Sequence, residues 1–337
     1  MDTRNSSPVF IVGTPRSGTT LMAKILGRDK DLFMPGETHY FLDIYSSRKE
    51  LGNLSDPDVK NVVLEKLRTL YGRYNEPPDQ KRADVLFSNS SIVDKLKACN
   101  EYDELFSVFM QLQTNHENKN RWGNNAPNDI FYIDNILSIY PNAKIIVCVR
   151  DIRNFLLSYK NKWRATTDEH VDRIKQLYHP VITSLLWKSS MKLIPAIRKM
   201  VPKDNLIIVP YENVVASPEK TIRDVCQCID IEFDENLLNV ETNNSSFESN
   251  TSGIFQSSLS RWKTGLGKED AWIAQFIAKS QMSSLGYEIE KINPDFFKIA
   301  ILFIQAPVAF YRALQANKDS RGSLVPYLIR RIRALFA

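Results

Sequence analysis

Val9-Phe10-Ile11-Val12-Gly13-Thr14-Pro15-Arg16-Ser17-Gly18-Thr19-Thr20-Leu21 is the stretch on which the reading of this chain turns. Four apolar, mostly β-branched residues read as a buried strand. A turn with a glycine at each end follows. The apolar period Leu21, Met22, Ile25, Leu26 then reads as a helix. A strand, a tight turn and a helix in this order aim several backbone N–H groups at one point. That point also carries the positive end of the helix dipole, so it suits a phosphate or a sulfate.

The spacing Gly13-x-x-x-x-Gly18 matches the first half of a nucleotide-binding P-loop, and the second half fails. Thr19 stands where that motif needs a lysine. Arg16, inside the turn, supplies a cation and can clasp two anionic oxygens in its planar fork. Thr19 and Thr20 add hydroxyl donors. The turn is therefore an anion cradle of a kind different from an ordinary ATPase loop.

Pro15-Arg16-Ser17-Gly18-Thr19-Thr20 resembles the 5′-phosphosulfate loop of sulfotransferases that use 3′-phosphoadenosine 5′-phosphosulfate (PAPS). The branch it resembles most contains tyrosylprotein sulfotransferases and many bacterial enzymes. The similarity returns at later points and spans roughly residues 8 to 288. It implies an α/β, P-loop-type fold of three layers, with a central, mostly parallel sheet flanked by helices. It also implies PAPS as the donor substrate, with no metal, and assigns all of Pro15 to Thr20 to its binding.

Phe33-Met34-Pro35-Gly36-Glu37-Thr38-His39-Tyr40-Phe41 returns toward the mouth of the cradle. Pro-Gly marks a turn and places Glu37 at or near the start of a helix, where a carboxylate complements the dipole. In the resembled family, Gly-Glu-Thr at this distance carries the catalytic base, so Glu37 takes that role here. His39 is a second catalytic candidate and equally suits positioning of the acceptor. Residues 47 to 120 read as helix-rich: Val59 to Leu70 is amphipathic, and Tyr71 to Ala83, with Pro77-Pro78, reads as a loop. A segment of this kind beside an active site usually shapes an acceptor pocket.

Arg121-Trp122-Gly123-Asn124-Asn125-Ala126-Pro127 departs from the family, which often has Lys-x-Pro at this corner with the lysine on the transferred sulfonate. Asn125 takes that place and removes a positive charge. Ala143 to Val149 is the clearest buried parallel strand. It ends in Arg150-Asp151-Ile152-Arg153, at the carboxyl end where open α/β sheets bind ligands. Arg150 with Ser158, eight residues on, resembles the family's clamp on a 3′-phosphate; Asp151 reads as a local ion pair. Another buried strand, Asn205 to Pro210, leads into Tyr211-Glu212-Asn213, again similar to the family. That segment is mostly framework there, with Tyr211 counted among the cofactor contacts. The stretch His170 to Val201 reads as one helical region, broken or kinked near Pro180 and Pro195.

Glu241 to Ser258 is rich in Asn, Ser and Thr and reads as a mobile loop; the resemblance implies that this region covers the cofactor. Ser260-Arg261-Trp262-Lys263 closes it and offers Arg261 and Lys263 to phosphate. These features place a sulfotransferase domain at 1–290 and a helical tail at 291–337. In the tail, Phe296 to Leu314 is apolar but interrupted by Gln305, Pro307 and Arg312, too short and broken for a transmembrane span. Leu324, Leu328, Ile332 and Leu335 form a helical stripe beside Arg330, Arg331 and Arg333. Such a helix either lies on a membrane surface, binds a partner or docks on the core.

With 337 residues, 43% hydrophobic and 25% charged, the chain has ordinary globular composition. A net charge of +5 is too mild for a nucleic-acid partner and suits an anionic cofactor. Four cysteines without disulfide or zinc spacing fit reduced thiols in a cytoplasm. The polar Met1 to Ser7 does not fit a signal peptide. The reaction expected is in-line transfer of a sulfonate to an acceptor hydroxyl or amine. The acceptor class (sugar, lipid, small metabolite or protein) is open. An ATP-using P-loop kinase and a non-catalytic nucleotide-binding module are the alternatives.

Overall fold

Five short parallel strands form the sheet: β1 (Val9–Gly13), β2 (Leu32–Phe33), β3 (Arg121–Asn125), β4 (Lys144–Val149) and β5 (Leu206–Pro210). Their order is β2-β3-β1-β4-β5. The computed structural model describes residues 7–74, 80–165, 171–240, 260–317 and 324–336.

Alternation along β1 builds the layers. Val9 and Ile11 face one side with Ile146 and Cys148. Met22, Ile25 and Leu26 of α1 (Thr19–Leu26) cover that side together with a second helix discussed below. Phe10 and Val12 face the other side with Ile145 and Val147. There the cover comes from helices α2 (Pro57–Tyr74), α3 (Tyr102–His116) and α4 (Ile152–Lys160). Phe10 sits edge-on to Trp122 at 5.8 Å and to Phe41 at 6.2 Å, so β1 is locked among aromatic rings. Such pairs contribute about 0.5–1.5 kcal/mol each beyond the area they bury. The four cysteines are all free thiols, three of them buried.

From β1 the chain turns toward β2 and β3, whereas from β4 it turns toward β5. The carboxyl ends of β1 and β4 therefore flank a topological switch point, the crevice in which such sheets bind ligands. Everything described below as the site lies along this edge.

Several local expectations are corrected. The run Tyr71 to Ala83 is helical at both ends, since α2 continues to Tyr74 and another helix starts at Gln80. Packing drives this: the Tyr71 ring meets Phe109 edge-on at 5.5 Å. The region to Val201 is interrupted near both prolines, as expected, into Val171–Lys175, α5 (Pro180–Met191) and Ile194–Met200. Pro180 and Pro195 start helices rather than kinking one, because the first turn has no use for their missing N–H. His170 lies outside the described residues. The second helix covering β1 is α6 (Pro218–Ile229), and α7 (Lys268–Ser284) follows. The proposed loop 241–258 lies outside the described residues.

The tail departs furthest from expectation. Helix α8 (Phe296–Asn317) runs unbroken through Pro307 and is long and apolar enough to cross a membrane. A proline costs one backbone hydrogen bond here, and neighbouring side chains hold the helix: Ile299, Leu302 and Ala306 pack on Val181 of α5 and Ile273 of α7. Helix α9 (Leu324–Phe336) is tied to the core through two of its arginines. Arg331, only 5% exposed, donates to the Leu186 carbonyl at 2.9 Å, to Ser189 Oγ at 2.8 Å and to Asn128 Oδ1 at 2.9 Å. Arg330 donates to the Phe131 carbonyl at 2.6 Å and lies over the Tyr132 ring, while Ile332 is half exposed.

Replacing Arg331 by Met leaves Asn128 Oδ1 without its donor, whereas the Leu186 carbonyl keeps the Ser189 hydroxyl. Each unpaired buried acceptor costs about 1–3 kcal/mol, so the urea midpoint should fall clearly. An unchanged midpoint would show that α9 is not docked in this way.

Candidate active site

The turn after β1 begins with a steric requirement. Gly13 has φ 151°, and a Cβ there would strike the Cys148 carbonyl oxygen of β4. Beyond it the chain doubles back: the Ser17 amide donates to the Thr14 carbonyl at 3.2 Å, and the Thr14 and Ser17 hydroxyls bond each other. Gly18 caps α1 in the left-handed region at φ 91°, and no side chain caps the helix's first turn. The cradle expected from Pro15 to Thr20 is therefore built as backbone, with its first-turn donors open to an anion. Ser17 and Thr19 are buried within it.

The loop is tied to the end of β4. Arg16 Nε donates to Ser158 Oγ of α4 at 3.1 Å, and Arg150 Nη1 donates to the Arg16 carbonyl at 3.1 Å. The Arg150 guanidinium lies 4.3 Å over the Tyr211 ring. That ring in turn touches Gly18, where a Cβ would come within 2.7 Å of it. Arg16, Gly18, Arg150, Ser158 and Tyr211 are thus one cluster. Arg150 Nε is buried with no hydrogen-bond partner. A buried guanidinium donor left open beside a cradle of free helix amides fits a phosphorylated ligand.

Asp151 is framework, as the sequence suggests. It caps α4 and pairs with Arg153 at 2.5 Å. Arg153 also stacks 4.2 Å over Trp262 and bonds Gln275 Oε1. Glu212 accepts from the Asp151 amide and the Tyr287 hydroxyl, both at 3.0 Å, and burial pushes its carboxyl above the usual range. These bonds fasten the short helix Trp262–Gly265 to α4, where Gly265 abuts Leu157. Arg261 and Lys263 therefore lie on the α4 side of the site. Lys263 is paired with Glu290 at 2.8 Å.

Glu37 lies on the other flank. It sits in extended backbone, bridged in parallel to Asn125, and helix begins only at Tyr40. Since Asn125 is paired with Ile11 of β1, the bridge brings Glu37 to the carboxyl edge beside the cradle. The helix dipole therefore does not account for Glu37. Its Oε2 is 2.7 Å from Nε2 of the buried His39. Arg16 (φ 70°) and His39 (φ 50°) are both left-handed. For side chains this large such backbone costs of order 1–3 kcal/mol and collects at functional sites.

A polar network that sequence reading missed supports this flank. Thr38 Oγ1 donates to Asn124 Oδ1 at 2.6 Å, and Asn124 Nδ2 donates to Asp129 Oδ2 at 2.8 Å. Asp129 is fully buried, and burial raises its carboxyl to about 7, with His39 opposing the rise. His39 thus stands between two carboxyls, bonded to Glu37 and in electrostatic reach of Asp129. The one signal in the sequence was an acid two residues after Pro127, just ahead of the apolar run Ile130, Phe131, Tyr132. Asn125, in the place of the family's lysine, is buried with its Oδ1 unpartnered. A turn of this amide about its terminal bond would present N–H₂ instead.

Because Asp129 holds its proton more tightly folded than unfolded, its contribution to stability is greatest below its ordinary value of 3.8. It falls as pH rises through about 7 and is flat beyond. Asp129→Asn should flatten that part of the curve when denaturation midpoints are measured from about pH 4 to about pH 8. An identical slope in the variant would remove Asp129 from the network's titration.

Comparisons with known proteins bear on the fold and the family. A family model described as "Sulfotransferase family" matches residues 8–235. A putative protein-tyrosine sulfotransferase of Caenorhabditis briggsae is 23% identical over 309 residues, covering 87% of this chain and 93% of that protein. The protein-tyrosine sulfotransferase of Drosophila melanogaster is 22% identical over 69% of this chain and 40% of its own length. Among solved structures, the sulfotransferase domain from the curacin biosynthetic pathway superposes with a TM-score of 0.56 at 18% identity, over 85% of this chain and all of that one. The sulfotransferase domain of the Synechococcus PCC 7002 olefin synthase gives 0.56 at 19%, over 86% and 98%. The likeness extends to the fold, a central parallel sheet flanked by helices. From the match over residues 8–235, the chain belongs to the sulfotransferase family, enzymes that transfer sulfate.

Proposed function

We propose that the protein moves the sulfonate of PAPS to a hydroxyl or amine on an acceptor with an apolar body. The observation that carries this reading is the joint formed by Arg16, Ser158 and Arg150. It sets an anion cradle and a second basic group side by side at the switch point. A ligand with a 5′-phosphosulfate and a separate 3′-phosphate needs two such anion sites on one nucleoside.

In the reaction the acceptor oxygen or nitrogen forms a bond to sulfur as the bond from sulfur to the bridging oxygen breaks. Adenosine 3′,5′-bisphosphate leaves, and Glu37 takes the acceptor proton. Arg16 and the loop amides face the charge that grows on the departing phosphate. His39, bonded to Glu37, orients that carboxylate and spreads the proton it gains. Asn125 stands at the same edge as a neutral group in place of a cation.

Beside Glu37 and Thr38 a narrow crevice, with room for about one water, is lined by Leu67, Leu70 and Tyr71 of α2 and Phe109 of α3. An acceptor that reaches Glu37 at the mouth of this crevice meets apolar side chains. The free thiols fit work in a reducing compartment.

Transfer of labelled sulfonate from PAPS to a panel of phenols, long-chain alcohols and sugars tests the reading. Glu37→Gln should slow transfer by roughly 10²–10⁴-fold while binding of adenosine 3′,5′-bisphosphate is unchanged. Loss of bisphosphate binding in this variant would make Glu37 structural. Transfer only to sugars would contradict the apolar acceptor.

A further inference from the structure

Helix α8 has three sides. Ile299, Leu302 and Ala306 pack on α5 and α7. On the opposite side Phe297, Ile304 and Val308 are 75%, 77% and 54% exposed, with Ile301 and Tyr311 also exposed. Between the two runs a row at heptad spacing: Lys298, Gln305, Arg312. An exposed apolar face of this length is unusual on a soluble monomer and marks an interaction surface.

We propose that α8 seats the protein on an anionic membrane surface, lying along it without crossing it. Charge favours this occupant. The only charged residues in α8 are Lys298 and Arg312. From residue 296 to the end the chain has seven basic residues against one acid, Asp319, and two of the seven, Arg330 and Arg331, are taken up by the bonds that tie α9 to the core. Basic side chains beside a buried apolar face reach up to lipid phosphates while their stems stay in hydrocarbon. A second copy of this chain would instead bring like charges together along the same row.

Attachment to the domain sets the orientation. The α5–α7 seam holds α8 lengthwise, and the Trp272 ring meets Phe296 edge-on at 5.8 Å. At the far end Arg173 donates to the Ala316 carbonyl at 3.3 Å. Beyond α8, helix α9 is pinned back on the core by Arg330 and Arg331. A helix fixed at both ends and along one side cannot leave the domain to span a bilayer. It can sink its outer face among the headgroups. The inference does not depend on the transferred group.

The test is sedimentation of the full-length protein with vesicles. It should pellet with phosphatidylcholine vesicles containing phosphatidylserine, pellet little with phosphatidylcholine alone, and be released by high salt. Lys298→Glu with Arg312→Glu, and separately Ile304→Ser with Val308→Ser, should each lower the partition about tenfold or more. Thermal midpoints should hold, since these side chains face outward. A protein that ignores anionic vesicles overturns the proposal, as does a serine variant that binds like the parent. A dimer that the serine variant breaks, with no vesicle binding, assigns the face to a second copy. Resistance to both salt and alkaline carbonate means that the helix spans.

Discussion

The contact between the Gly13 backbone and the Cys148 carbonyl oxygen is the constraint on which the site depends. Only a residue without a side chain lets the chain leave β1 that close to β4. The path that follows carries Arg16 over the end of the neighbouring strand. There its side chain reaches Ser158 and its carbonyl reaches Arg150. The strand order makes this useful. With β1 and β4 adjacent and their connections diverging, the space above them stays clear of crossing chain. An aromatic core under Phe10 and a helix layer over Ile11 hold β1 still, so the loop begins from a fixed point.

Stability is spent on the other flank. Asp129, Asn124 and His39 are buried, and buried polar groups cost free energy unless they are bonded to one another. Most of this network is satisfied, and Glu37 at its edge remains half-buried with a fixed partner. A carboxylate held this way has one orientation to offer. The left-handed backbone at His39 is part of the same arrangement, since the turn of chain there sends Glu37 along Asn125 and lets Tyr40 start a helix.

The cradle was legible because its parts are local. Glycine spacing, an arginine in the turn and the apolar periods around it all fall within thirteen residues. Arg150 was legible for a related reason, standing at the carboxyl end of an unmistakable buried strand, whereas Ser158, on α4, was reached through the family resemblance. Asp129 was not, because its meaning comes from burial near Glu37 and His39, 92 and 90 positions earlier, which only the fold brings to it. Nor does helical periodicity say whether an arginine is solvated: Arg331 is buried because Leu186, Ser189 and Asn128 converge on it. Pro307 misled for the converse reason. Local rules count its missing hydrogen bond, whereas the seam with α5 and α7 decides that α8 persists. Lys263 shows a further limit, since its pairing with Glu290 links segments that no motif connects.

The central claim is that the switch point reads two separate anions on one nucleoside. Calorimetric titration tests it most directly, with adenosine 3′,5′-bisphosphate, adenosine 5′-monophosphate and magnesium ATP compared on the same protein. The account predicts that the bisphosphate binds at least tenfold tighter than either nucleotide lacking the 3′-phosphate, and that Arg150→Ala removes most of that preference. Equal binding of the monophosphate, or tighter binding of magnesium ATP, would contradict it.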